Sequence, residues 1–278
     1  MRGWVRAGVA VAAAGLLSLT GCTLSPPPPP PPVTASARLP PQRAAVVQAA
    51  LTEWQRWGKL TVDGWPEFLD PPAAPENFPS ILAYWETVPE GPAVIRRHEG
   101  TRDAMMVAMA EFQAEGAPPP PLPAISLFAS PAWSAAFVSY VMQRAGVPGF
   151  VFPPAAAHST YIDALLFSWS GNPEGAAFVP HEPVDYSPRP GDLICADRSR
   201  SPLYHWQERL SEAGSFRPMH CDVVVASGGG LVQAIGGNVL DAVVLRRFPA
   251  DAAGRALPPP WDKAPFFVVF ENRLDLTR

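Results

Sequence analysis

His220-Cys221-Asp222-Val223-Val224-Val225-Ala226-Ser227-Gly228-Gly229-Gly230-Leu231-Val232-Gln233-Ala234-Ile235 is the stretch that decides the fold. Two apolar runs rich in β-branched residues flank a Ser-Gly-Gly-Gly turn signal, which is the pattern of a β-hairpin. Asp192 to Cys195, Val239 to Leu245 and Phe266 to Phe270 repeat it as short apolar runs bounded by Gly, Pro or Ser. From Pro190 onward the chain therefore reads as a mostly antiparallel sheet. Upstream the apolar period is helical. Val47, Ala50, Leu51, Trp54 and Trp57 predict a helix over Arg43 to Gly58, and a second covers Thr101 to Ala114. Trp133 to Ala145 carries Ala136, Phe137, Val141 and Ala145 on one face, with Gly146 behind it as a stop signal. A shorter helix is expected from Thr160 to Phe167, where Thr160 and Asp163 have capping-box spacing. Trp65 to Pro92 reads as irregular, and the prolines from Pro118 to Pro123 as a loop inside the domain. Helices first and sheet afterwards is the order of an α+β fold.

Side chains alternate along a strand, so His220 and Asp222 share one face and Cys221 takes the other. That separates Cys221 from His220 as a nucleophile and base. If the strand ending at Cys195 pairs antiparallel with the one beginning near Cys221, a disulfide between them is plausible; two free buried thiols are the alternative. A hairpin centred between Gly228 and Gly229 sets His220 opposite Gly237, with Asn238 one residue away and able to orient the imidazole. Gly236-Gly237-Asn238 is equally good turn chemistry. Ser134 sits near the start of a helix, where unpaired N–H groups and the helix dipole favour negative charge. It reads either as a nucleophile or as a small residue in a tight helix–sheet contact.

The N-terminus is built as an export signal: Arg2 and Arg6, an apolar run from Val9 to Leu19, then Leu19-Thr20-Gly21-Cys22. That ending resembles the lipobox of bacterial lipoproteins, in which the cysteine is lipidated after cleavage. The expected organisation is a signal peptide over 1–21, lipidated Cys22 and a proline-rich tether over 22–40, and one domain over 41–278. Pro26 to Pro32 would act as a semi-rigid polyproline spacer. A membrane partner through lipid on Cys22 follows, on the periplasmic face of the outer membrane if the cell is Gram-negative. With 47% hydrophobic residues and nine tryptophans, the 278-residue chain can bury a substantial core. Its net charge of −4 excludes the basic surface of a nucleic-acid binder. No metal-ligand spacing and no Gly-x-Gly-x-x-Gly loop occurs, so neither metal nor cofactor is expected.

Five segments taken together, PAWSAAFVSYVM (131–142), HSTYI (158–162), PGDLIC (190–195), HCDVVV (220–225) and IGGNV (235–239), resemble the bacterial family catalogued as domain of unknown function 2272. More distantly, a nucleophile borne on a helix, a Pro-Gly-Asp strand and a His-led strand are similar to papain-like cell-wall hydrolases of the NlpC and CHAP types. The resemblance implies a papain-like α+β domain that cuts peptide or amide bonds of peptidoglycan. It places Ser134 at the nucleophile position, His220 at the base and Asn238 at the third polar residue. Serine here replaces the usual cysteine and is the weaker nucleophile. Two readings stand: a peptidoglycan hydrolase, or a non-catalytic envelope lipoprotein that binds a wall ligand or protein partner. In both, Trp133, His158, Tyr161 and Trp206 are expected to line the cleft.

Overall fold

In the computed structural model, which describes residues 40–67, 69, 75–116 and 130–276, the glycine triplet turns the chain between β4 (Met219–Gly228) and β5 (Leu231–Val239). Gly228 pairs with Leu231, so Gly229 and Gly230, both at positive φ, make the turn itself. A register shift between Val224 and Ala226 follows, and Val223 comes to face Ile235. Next to the turn the pairing lies two residues beyond the expected one, because the turn is centred between the second and third glycines, and the register shift reduces this to one at Val223.

Around this hairpin lie β1 (Thr61–Asp63), β2 (Phe178–His181), β3 (Leu193–Asp197), β6 (Ala242–Pro249) and β7 (Phe266–Asn272). The seven strands form one sheet in the order β1-β6-β5-β4-β3-β7-β2. All neighbours are antiparallel except β1 and β6. Six α-helices accompany the sheet among the described residues: α1 (Pro41–Arg56), α2 (Phe78–Trp85), α3 (Gly91–Ala114), α4 (Ser134–Arg144), α5 (His158–Gly171) and α6 (Trp206–Leu210). The architecture is α+β with a mostly antiparallel sheet, as the sequence pattern indicates.

Two differences have physical causes. Trp65 to Pro92, expected to be irregular, contains α2 and the start of α3. Pro79 and Pro92 stand in their first turns, where a missing N–H costs nothing, so proline opens these helices instead of breaking them. The helix expected at Thr160 starts two residues earlier, at His158, without a side-chain cap. Asp163 is bonded instead to Arg209, at 2.7 and 2.8 Å.

Alternation along the strands divides the core in two. On one face Cys195, Cys221, Val223 and Ile235 pack with Tyr84, Trp85, Trp133, Phe137 and Val141 from the helices. On the other, Ile194, Val224, Val232, Ala234, Phe248 and Phe266 form a smaller cluster capped by Trp65. Cys195 and Cys221 are directly paired across β3 and β4 and are disulfide-bonded, with Cα atoms 4.1 Å apart. The free-thiol alternative falls away. The enclosed segment is tied down further by Arg209 to Asp163 and Arg217 to Asp197, each at 2.7 Å. The export signal, Cys22 and the Pro26–Pro32 spacer lie outside the described residues. Among the described residues no helix is long and apolar enough to cross a membrane.

Candidate functional site

The N-terminus of α4 is fixed by Trp133, which is fully buried. Its ring stacks on Trp57 at 5.3 Å and packs on Tyr84 at 5.5 Å, and its Nε1–H donates to Asp241 at 3.1 Å. Ser134 is the first residue of the helix. The first N–H groups of a helix have no partner within it, so its hydroxyl lies where the backbone favours developing negative charge. Ser134 Oγ is 2.6 Å from Nε2 of His158, the first residue of α5. The other ring nitrogen, Nδ1, hydrogen-bonds the hydroxyl of Tyr161, one turn further along the same helix. Burial drives the Tyr161 pKa well above its ordinary 10, keeping the phenol protonated. Burial, reinforced by His220, holds His158 well below 6.5, so its imidazole is neutral at neutral pH.

A second network begins on β4. His220 Nε2 lies 2.9 Å from Asp222 Oδ1, and the other carboxylate oxygen accepts from Arg246 Nη2 on β6. Asp222 is fully buried, which alone would raise its pKa. Arg246 and His220 outweigh that and bring it to about 2. The carboxylate can only accept, so His220 Nε2 carries the proton. Burial lowers the His220 pKa from 6.5 despite the pull of Asp222, which leaves Nδ1 unprotonated at neutral pH. That atom is buried and has no hydrogen-bond partner among the described residues. The rings of His158 and His220 are 5.3 Å apart between centroids, so the two networks touch.

Two glycines of β5 make this packing feasible. A Cβ on Gly236 would lie 1.9 Å from Asp222 Oδ1 and 2.8 Å from His220 Nε2. One on Gly237 would lie 2.5 Å from the Phe137 side chain of α4. Gly236 and Gly237 are thus places of close approach within a strand and do not form the turn that their sequence also allowed.

The expected chain Ser134–His220–Asn238 is rearranged. Ser134 is hydrogen-bonded to His158, and Nε2 of His220 is held by Asp222. Asn238, at φ 53°, lines a cleft of about 240 Å³ over His220, together with Trp65, Arg198, Arg246 and Lys263. The aromatic residues expected along the cleft are not part of its lining. Trp133 and Tyr161 are fully buried, and Trp206 packs edge-on against Trp169 at 5.0 Å. Trp133 and Trp206 stand at the N-terminal ends of α4 and α6 with their rings packed inward, and Tyr161 holds Nδ1 of His158. His158, 5% exposed, is the member of that group that reaches the serine. Asp222 was visible as the same-face neighbour of His220. Arg246 and Trp65 carry no local signal, because only the strand order brings them there.

The family model described as an uncharacterized protein conserved in bacteria, DUF2272, matches residues 84–271, more than half of the chain. The chain belongs to this family. The DUF2272 match spans all six members of the two networks and both cysteines. No curated protein and no solved structure matches the chain.

Proposed function

We propose that this DUF2272 domain is a serine hydrolase of amide bonds in the bacterial envelope, acting on peptidoglycan peptides. The 2.6 Å contact between Ser134 Oγ and His158 Nε2 at the first turn of α4 carries the reading. A hydroxyl is a poor nucleophile until a base takes its proton, and a neutral imidazole within hydrogen-bond reach is such a base. In the reactive tautomer His158 Nδ1–H donates to the Tyr161 oxygen, leaving the lone pair of Nε2 facing Ser134. Ser134 Oγ attacks the substrate carbonyl as its proton passes to Nε2. The oxyanion is received by first-turn N–H groups of α4. His158 then gives its proton to the departing amine, and water cleaves the acyl-enzyme by the same route. The charge of Asp222 favours the protonated His158 that forms midway.

The resemblance to papain-like NlpC and CHAP hydrolases supports this reading, with nucleophile, Pro-Gly-Asp strand and His-led strand in the same order. In this proposal the base is His158, and His220 stands beside it. The lipobox-like ending at Cys22 and the proline spacer support an exported, lipid-tethered protein with the domain held toward the wall. The test is to incubate purified peptidoglycan with the full chain in detergent, beside a Ser134→Ala variant, and to analyse released fragments by mass spectrometry. Fragments with new amine and carboxyl ends are expected only with the parent. Identical profiles would overturn the hydrolase for that substrate.

One observation favours the second reading, a binding lipoprotein that does not cut. Ser134 and His158 are only 6% and 5% exposed, as befits an internal polar contact. In that case parent and Ser134→Ala chains bind the wall equally and neither releases fragments.

A further inference from the structure

Among the described residues three cations line the cleft over His220: Arg198, Arg246 and Lys263. Lys263 is compensated by Glu67 at 3.0 Å and Asp262 at 3.1 Å. Arg246 is committed to Asp222. Arg198 is exposed on the rim, and its guanidinium makes no hydrogen bond or ion pair with the described residues. A planar fork of donors without a carboxylate suits a bidentate anion. Two residues of the lining also carry buried atoms without a partner among the described residues: His220 Nδ1, an acceptor because Nε2–H is given to Asp222, and Arg246 Nε, a donor. Buried polar atoms left unpaired are uncommon, and in a cleft they mark where a ligand's own groups belong. Trp65, packed on Phe248 and Phe266, gives the same cleft a rigid apolar wall.

We infer that this cleft recognises a peptide carboxylate, with Arg198 taking the carboxylate, His220 Nδ1 accepting a neighbouring amide N–H, and Trp65 covering the side chain beside them. An inorganic anion would satisfy Arg198 but has no N–H for His220, so the pattern selects a peptide. The carboxylate is either a chain terminus or an acidic side chain. The inference concerns binding and holds whether or not Ser134 cuts.

The test uses the full chain in detergent with Ser134→Ala, so that nothing is turned over, and reads affinity by titration calorimetry. Three probes are compared: acetyl-Ala-Ala-Ala with a free C-terminus, its C-terminal amide, and acetyl-Ala-Ala-Glu amide. At least one carboxylate-bearing peptide, the free acid or the glutamate amide, is expected to bind at least tenfold tighter than the plain amide. Recovery by the glutamate amide would assign the carboxylate to a side chain, and its failure would assign it to the terminus. Adding Arg198→Gln, at an exposed position, should remove the preference for a carboxylate, and Arg198→Lys should keep part of it. The inference is overturned if none of the peptides binds, if neither the free acid nor the glutamate amide binds more tightly than the plain amide, or if Arg198→Gln leaves the preference intact.

Discussion

The Ser134–His158–Tyr161 network and the His220–Asp222–Arg246 network meet ring against ring, yet they are built on opposite terms. The first is neutral and drawn from the first turns of two helices, α4 and α5. The second is charged and assembled across the sheet, with Arg246 on β6 meeting Asp222 on β4 beside the space that Gly236 leaves open on β5. Removing one partner from a buried ion pair strands the other charge, whereas a neutral hydrogen bond contributes only about 1 kcal/mol net. Stability should therefore depend on the charged network and chemistry on the neutral one.

The sharpest way to break that contrast is Asp222→Asn. It should cost about 3–5 kcal/mol in denaturant unfolding, because Arg246 keeps its buried charge without a counter-ion. Removing the Cys195–Cys221 bond by a double Ala substitution should cost about 3–4 kcal/mol on the chain-entropy model, for a separation of 26 residues. That loss should add to changes in the neutral network. The third effect is acid sensitivity. His158 and His220 have folded pKa values below the unfolded value near 6.5, so between the two the unfolded chain binds more protons. Stability is full above about pH 6.5 and falls as pH drops below it, by up to about 1.4 kcal/mol per pH unit for each histidine. Asp222 contributes in a lower window, its share being lost as pH falls from about 4 toward 2. Thermal unfolding from pH 5 to 8 should show the upper slope, and His158→Gln should reduce it. Smallest in stability are Ser134→Ala and Tyr161→Phe, each about 1 kcal/mol. A loss above about 3 kcal/mol for Ser134→Ala would instead make the serine a structural residue.

How much of this was legible in the sequence differs between the two networks. The hairpin, the antiparallel strands from Leu193 to Asn272 and the helix at Ser134 follow from apolar period and glycine placement, which are local signals. His220 with Asp222 was readable from strand alternation, and Cys195 with Cys221 from the pairing of two strands. The partnership of Ser134 with His158 was not, because it depends on how α5 is docked beside α4. Arg246 reaches Asp222 only because β5 lies between β4 and β6 and is bare at Gly236. The register beside the site moved one residue from expectation because a run of three identical residues hides where the turn is centred, and the register shift between Val224 and Ala226 has no local signal.

The central claim is that Ser134 is a nucleophile activated by His158, and covalent trapping tests it most directly. A fluorophosphonate transfers its phosphonyl group to an activated serine Oγ with loss of fluoride, and peptide mapping by mass spectrometry locates the adduct. At pH 7 the account predicts a single time-dependent adduct on Ser134 in the folded chain, lost on unfolding and slowed at least about 100-fold in His158→Gln, the scale on which a general base acts. No adduct on Ser134, or equal labelling with and without His158, would contradict it.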